Sequence, residues 1–555
     1  MNEFGESYHE LFCFYIRTRI FCFMQPEIQK AWDKTCTLLL GEEIGNLEDY
    51  APWLKELIDL NTFRKSSISR KEVASAIKEY CETSKFISFD EIDFGKKFEP
   101  LNINEIKDLD SILEAVNERV YYCGNILLGN CMNVERSSNL SDGFSVTDSA
   151  QFFNVKYMAY CTVGREDSYC FGAHGPGGSD FLIRCSQATN IRRSFELWVS
   201  TNTSDCYYSY GLDNCSNCFF SFNLKNKRYC IGNLELGRDK YESVRKNLLS
   251  ELVVELKKNK SAPSLMDIVR MCKIEKPSEL RHAAPEFKEP NERLDNQVIE
   301  RAFSDTTKII FGKPLTNIDN YADWLCRHTH QMQETKSAIS GRRILWTPYG
   351  ISLVPMPENR IVTIEEANVL GETTRINPSE AENINLKNAH KSIGKIAYFK
   401  VDVRDGQTKN LIDCSYCIGG SDCYRASMFV RPKYCACGMW AMDSTNCFGF
   451  DSLLYSSFCV KCYHSTKLTR CFELDNCRDC ADSLFCHNCE SLSNAMFCFN
   501  VKSKRYAIGN AEIGRDQFMN VKKKIMDEIL EKIEKGKQLD LSIYEVGCAG
   551  RRGKA

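Results

Sequence analysis

From residue 414 to residue 501, every third position of this chain is small or apolar. The line reads C, C, G, C, A, F, P, C, G, A, S, C, F, L, S, C, C, S, L, C, L, C, C, S, C, C, L, A, C, V, with no charge in it. Thirteen of the fourteen cysteines in this stretch lie on the line, and only Cys437 does not. A second line runs from residue 182 to residue 224 as L, C, A, I, S, L, S, T, C, S, L, C, C, S, L; Cys161, Cys170 and Cys230 share its phase and Asp167 interrupts it. A helix returns to one face every 3.6 residues and a strand every two, so a period of three fits neither. It fits a narrow β-solenoid, in which each short strand-and-corner step turns one side chain inward and two outward. A free thiol packs as a small hydrophobe, and stacked rungs pair their backbones while burying one continuous core. The rung length stays open: Cys423, Cys435, Cys447, Cys459 and Cys471 are twelve apart, whereas Cys462, Cys471, Cys480, Cys489 and Cys498 are nine apart.

The chain is also written twice. "NLKNKRYCIGNLELGRDKY" at 223–241 returns as "NVKSKRYAIGNAEIGRDQF" at 500–518, with 12 of 19 positions identical. "RRSFEL" at 192–197 returns as "TRCFEL" at 469–474, at the same offset of 277. "GEEIGNLEDYAPWL" at 41–54 matches "GKPLTNIDNYADWL" at 312–325, and "SKFISFDE" at 84–91 matches "NRIVTIEE" at 359–366. The expected fold class is α+β, a tandem duplication whose halves each hold an α/β head, a cysteine-lined solenoid and a closing amphipathic helix. The boundaries read 1–125 (head), 126–236 (solenoid), 237–260 (helix), 261–290 (linker), 291–400 (head), 401–513 (solenoid), 514–538 (helix) and 539–555 (flexible basic tail). Tyr241, Val244, Leu248, Leu252 and Leu256 form the stripe of the first closing helix, with Asp239 and Glu242 as its expected capping box. Phe518, Val521, Ile525, Ile529 and Ile533 form the second stripe.

The 555 residues are 43% apolar with a net charge of −2, which excludes a disordered chain and a bulk polycation. "LFCFYIRTRIFCFM" at 11–24 is broken by two arginines and does not read as a secretory signal, and no apolar run reaches spanning length. The expectation is a cytoplasmic protein with no membrane association and mostly reduced thiols.

Thirty cysteines raise the question of metal. Cys477, Cys480, Cys486 and Cys489 form two CxxC pairs, the spacing of zinc or Fe–S ligands. The duplication is an internal control. At offset 277, Cys477/Cys480 correspond to Ser200/Thr203 and Cys486/Cys489 to Ser209/Leu212, while Cys215/Cys218 correspond to Leu492/Ala495. Core positions trade with leucine, alanine and serine; ligands do not. Packing without a cofactor is therefore the first reading, a Zn or Fe–S site the second and disulfides the third.

"NCSNCFFSFNLKNKRYCIGN" at 214–233, followed by a tyrosine-containing helix, resembles a motif of cysteine-ladder hypothetical proteins of uncultivated bacteria and archaea, in which NCxNCxxC runs end in "NLRNKxYCIxN". The likeness covers the two ladder segments and their closing helices. It implies architecture and no established activity; the CoA-transferase label often given to such proteins does not fit this chain. Some members begin with CxxC zinc ribbons, whereas residues 1–120 here hold Cys13, Cys22, Cys36 and Cys81 and no CxxC.

Few residues invite chemistry. Lys225, Lys227, Arg228 and Arg238, matched by Lys502, Lys504, Arg505 and Arg515, are candidates for holding an anion or a nucleic-acid backbone, against a structural reading as the solvated ends of the solenoids. "FGAHGPGGSD" at 171–180 lacks the context of a phosphate loop and reads as a loop bulging from the first solenoid. Cys326, His328 and His330 stand two apart on a short helix and face different ways. No nucleophile–base order stands out, and eight histidines leave few acid–base candidates. The expected function is a non-enzymatic scaffold or interaction protein with unidentified protein partners, its halves packed as a pseudo-dimer or the whole chain as a homo-oligomer. The alternatives are a Zn or Fe–S redox or storage protein and a nucleic-acid-associated factor.

Overall fold

The computed structural model describes residues 25–274, 295–329, 332–347, 356–427, 436, 445–451, 460–463 and 466–549. Helices and strands each take about a third of the chain, 32% and 33%, an α+β composition with no closed barrel among the described residues.

One sheet joins thirteen strands between Leu127–Leu128 and Leu234–Glu235, and another joins nine between Phe448–Asp451 and Ala511–Glu512. Between the short end strands pairing is parallel and steps by twelve. Ser204 lies opposite Ser216 and Ser216 opposite Arg228; in the second sheet Phe448, Val460, Phe472, Leu484, Met496 and Ile508 follow one another across strands. Twelve, not nine, is therefore the repeat. The backbone explains the triplet. Every third residue from 133 to 232, and again from 467 to 509, has positive φ, and each directly precedes a residue of the inward line. Four left-handed residues per twelve give each rung four corners.

Many corners are Asn or Asp, whose short polar side chains tolerate this conformation. Others are bulky, such as Tyr169 (φ 55°) and Phe181 (φ 56°), and their strain of about 1–3 kcal/mol each must be held by neighbours. Here the rings stack on one another at 4.5 Å. "FGAHGPGGSD" departs from the expected bulge. His174 bridges Thr162 and Ser186, and Gly177 bridges Arg165 and Thr189, so the segment is an ordinary rung whose Gly172, Gly175 and Gly178 occupy corner positions.

The final parallel strand of each sheet folds back into a short antiparallel one, Arg228–Ile231 onto Leu234–Glu235 and Arg505–Ile508 onto Ala511–Glu512. The turns are pinned alike. Asn233 accepts from the Phe222 N–H (2.7 Å) and donates to its carbonyl (3.0 Å), and Asn510 does the same for Phe499 at 2.7 and 3.0 Å. This closes the strand edge that would otherwise invite further pairing.

The closing helices are Arg238–Asn259 and Arg515–Gly536, and both expected stripes are buried. Their N-caps are Gly237 and Gly514 with no side-chain cap bond, so the Asp239/Glu242 capping box does not form. A helix at Leu265–Arg270, capped by Ser264 and Asp267, stands inside the stretch read as linker. The tail is not loose through residue 549: Leu539, Ile543, Tyr544 and Val546 are buried, and a disulfide joins Cys548 to Cys81, an exception among thiols that are otherwise mostly free among the described residues.

Each head divides between the two columns of rungs. Ile28, Trp32, Leu39, Tyr50 and Trp53 cover the outward line Phe171, Ile183, Phe195, Tyr207, Phe219 and Ile231 of the first column, together with the first closing helix. The same core takes in Ile361, Ile376, Ala389 and Phe399 of the second head. Conversely, Val73, Phe86, Ile112 and Tyr122 of the first head join Phe303, Trp324 and the second closing helix over Phe448, Phe472, Leu484 and Phe499 of the second column. Inside the columns are two separate cores, whose buried apolar members all lie on the triplet lines.

Candidate functional sites

The column interiors hold the largest concentration of reactive groups. The Cys161 thiol donates to the Ala159 carbonyl (3.2 Å) and accepts the Ala173 N–H from the next rung (3.4 Å). Ser149 does the same one rung earlier, donating to the Thr147 carbonyl (2.8 Å) and accepting the Cys161 N–H (3.1 Å). Ser179 accepts the Ile191 N–H at 3.0 Å, Ser209 the Ser221 N–H at 3.0 Å and Cys215 the Lys227 N–H at 3.5 Å. Inward serines and cysteines thus share one task, linking a carbonyl two residues back to an amide twelve residues on. This fits the exchange of cysteine for serine at positions 277 apart, as at Cys477/Ser200 and Cys486/Ser209, and it corrects the view of these thiols as apolar filler alone.

A thiol that donates to carbonyls must keep its proton. Burial pushes Cys161 and Cys417 up to about 12, and raises Cys170, Cys414, Cys423, Cys477 and Cys486 as well. Hydrogen bonds from Cys218 and Cys477 draw Cys215 and Cys480 the other way. Metal ligation and nucleophilic attack both need the thiolate. Cys477, Cys480, Cys486 and Cys489, the candidate ligands, are all buried in the second interior. Among the described residues no group of three or more His, Cys, Asp or Glu is placed to hold a metal ion.

Asp167 occupies an inward position too. Its Oδ1 accepts the Ser179 N–H at 2.9 Å, as a serine or cysteine would. Its Oδ2 is buried with no hydrogen-bond partner, and burial pushes the carboxyl up to about 7.

On the outer faces, two buried ion pairs seat the heads. Arg184 Nε donates to Glu196 Oε1 at 2.5 Å, its guanidinium contacts the Trp53 carbonyl, and it lies 4.7 Å from the Trp53 ring. Lys461 stands 3.3 Å from Glu473 and 5.1 Å from the Trp324 ring. Each carboxylate also accepts a backbone N–H, from Leu265 at 3.2 Å and from Ile543 at 2.9 Å. Burial raises both carboxyls and lowers Lys461. Sequence reasoning missed these pairs. The signal was present, since Arg184 and Lys461, like Glu196 and Glu473, are 277 apart.

A second missed cluster joins the first head to the second column. The Cys123 N–H donates to His487 Nε2 (2.8 Å), which leaves the ring proton on Nδ1, facing Asp475 Oδ2 at 2.8 Å. The same oxygen accepts the Tyr80 hydroxyl at 2.6 Å. His487 and Asp475 are fully buried, and with Nε2 occupied the imidazole is a clamp and not a free base.

The basic elements surround the folded-back ends of the columns. Lys225, Lys227, Arg228, Arg238, Arg505 and Arg515 are exposed, and Lys502 and Lys504 are half-buried. Lys227 pairs with Glu235 at 3.2 Å, and Lys502 pairs with Glu490 at 2.9 Å while lying 4.4 Å from the Phe94 ring. His174 is buried and bonded through Nδ1 to Thr162 at 2.8 Å. Burial pushes His328 down to about 3, between the rings of Tyr463 and Tyr544; His330 lies outside the described residues.

No protein-family model, curated protein or solved structure matches this chain. Among the described residues, no helix is long and apolar enough to cross a membrane.

Proposed function

We propose that this chain is a non-enzymatic scaffold for protein partners, a tandem duplication built on two cysteine-lined β-solenoids. The twelve-residue register and its unbroken series of left-handed corners support the solenoid reading. The counterparts at offset 277 support the duplication, and with the ladder motif they support kinship with the cysteine-ladder family. One observation carries the functional reading: inward thiols such as Cys161 and Cys215 hydrogen-bond the backbone of their own rung and of the next. That makes them structural and leaves recognition to the outside, with the ladder thiols reduced and free of cofactor in a cytoplasmic protein.

Two sides of the first column are covered by the heads and helices, while Thr189, Asn190, Thr201 and Asn202 face solvent. Rigid stacks with open faces suit binding of extended partners. Metal analysis of protein purified without oxygen is expected to find less than one equivalent per chain; several equivalents of zinc or iron overturn the reading. Partners captured from the native host should be lost from a Thr189→Lys, Thr201→Lys variant. Capture unaffected by changes on any open face counts against it. Retention on nucleic acid that falls with salt and vanishes in Lys227→Glu, Arg228→Glu would favour the nucleic-acid alternative.

A further inference from the structure

We infer that the two halves of this chain are a self-complementary pair, each offering the other the same surface, so that the natural partner of one half is a half of the same kind. The inference rests on the duplication proposed above and concerns what the duplicated surfaces bind.

The argument is positional. Asn223 in the first column donates to the Tyr398 carbonyl of the second head at 2.8 Å; its counterpart Asn500 in the second column donates to the Tyr121 carbonyl of the first head at 2.7 Å. The Leu386 N–H of the second head donates to Glu251 on the first closing helix at 3.1 Å, and the Leu109 N–H of the first head donates to Glu528 on the second at 2.7 Å. Phe399 lies 4.8 Å from Tyr210 and 6.1 Å from Phe222; Tyr122 lies 5.2 Å from His487 and 5.7 Å from Phe499.

In every case, position i of the first half meets position j of the second, and j of the first meets i of the second. That reciprocity defines a two-fold interface between identical subunits. The heads divide as they do because each contributes its second part to the partner's column, an exchange of elements within one polypeptide. The side chains have diverged, as His487 and Asp475 standing where the first column has Tyr210 and Trp198 show, but the backbone contacts have not.

The test is made on the whole chain carrying a protease site inserted between residues 274 and 295. After cleavage and reduction of the Cys81–Cys548 disulfide, which otherwise ties the two pieces covalently, the pieces are expected to elute together by size exclusion at the volume of the uncut chain and to stay together on hundredfold dilution; pieces that part overturn the inference. Asn223→Ala with Glu251→Ala, and separately Asn500→Ala with Glu528→Ala, should each raise dissociation of the cut pair roughly tenfold or more. An effect from one pair of substitutions only contradicts the equivalence of the two surfaces. Thiol reactivity of the separated pieces distinguishes the failures: protected thiols leave the solenoids standing and refute the pairing alone, and exposed thiols refute both.

Discussion

Asp167→Asn isolates one carboxyl inside the first column. Wild-type Asp167 accepts the Ser179 N–H at Oδ1, at 2.9 Å, and buries Oδ2 without a partner. A β-carbon at Gly164 would stand 2.5 Å from that oxygen and 2.7 Å from the Pro176 carbonyl, so the second oxygen faces a small space beside another acceptor. Asparagine retains the acceptor for Ser179 and brings an N–H₂ to that space. The carboxyl is raised from its ordinary 3.8 to about 7 by burial. At about 1.4 kcal/mol per pH unit, this corresponds to about 4 kcal/mol. Because the folded state holds the proton more tightly, the folded chain is favoured most below the unfolded value near 3.8 and loses that advantage as pH rises through 7. Asparagine does not titrate. Urea unfolding of both proteins between pH 4 and 8 should therefore show the variant gaining steadily on the wild type up to about pH 7 and holding a constant lead of about 2–4 kcal/mol above it. Parallel pH profiles for the two proteins would refute the reasoning.

Glu196→Ala leaves the buried Arg184 with only the exposed Glu56 carboxylate, 3.1 Å away, as counter-charge and should cost about 3 kcal/mol in urea unfolding, whereas Arg184→Met with Glu196→Met should cost much less; equal losses would show that the charges are not coupled. Cys161→Ser preserves both the donor and the acceptor and should be nearly neutral, while Cys161→Ala leaves the Ala173 N–H unpaired and should cost about 1–3 kcal/mol by the same measurement. His487→Phe removes the acceptor for the Cys123 N–H and the contact to Asp475, so hydrogen exchange at Cys123 should quicken at least tenfold while the first column's amides keep their protection.

The inward lines were legible in the sequence because an interior tolerates so few side chains that their phase survives every substitution. A corner line is legible beside them. Asn, Asp and Gly recur one residue ahead of the inward positions at 202, 205, 211, 214, 217, 223, 226 and 232, which marks left-handed backbone. Read with the inward line, it would have made the glycine-rich 171–180 a rung. The rung length was hidden because cysteines spaced nine and twelve apart obey the same triplet, and only strand pairing separates them. The division of the heads could not be read from local pattern, because it depends on which of two similar columns a segment meets. The ion pairs Arg184–Glu196 and Lys461–Glu473 looked like ordinary solvated charges, and only burial by the heads distinguishes them.

Thiol accessibility in the folded protein is the most direct test of the inward, hydrogen-bonded cysteines. Reduced protein is treated with an aromatic disulfide reagent, and each modified cysteine is identified by mass spectrometry. Cys161, Cys170, Cys185, Cys206, Cys218, Cys230, Cys471, Cys477, Cys486, Cys489 and Cys498, all at most 3% exposed, should remain unmodified until denaturant is added and then react completely. Rapid modification of these residues in the native state would place them outside the columns and contradict the account.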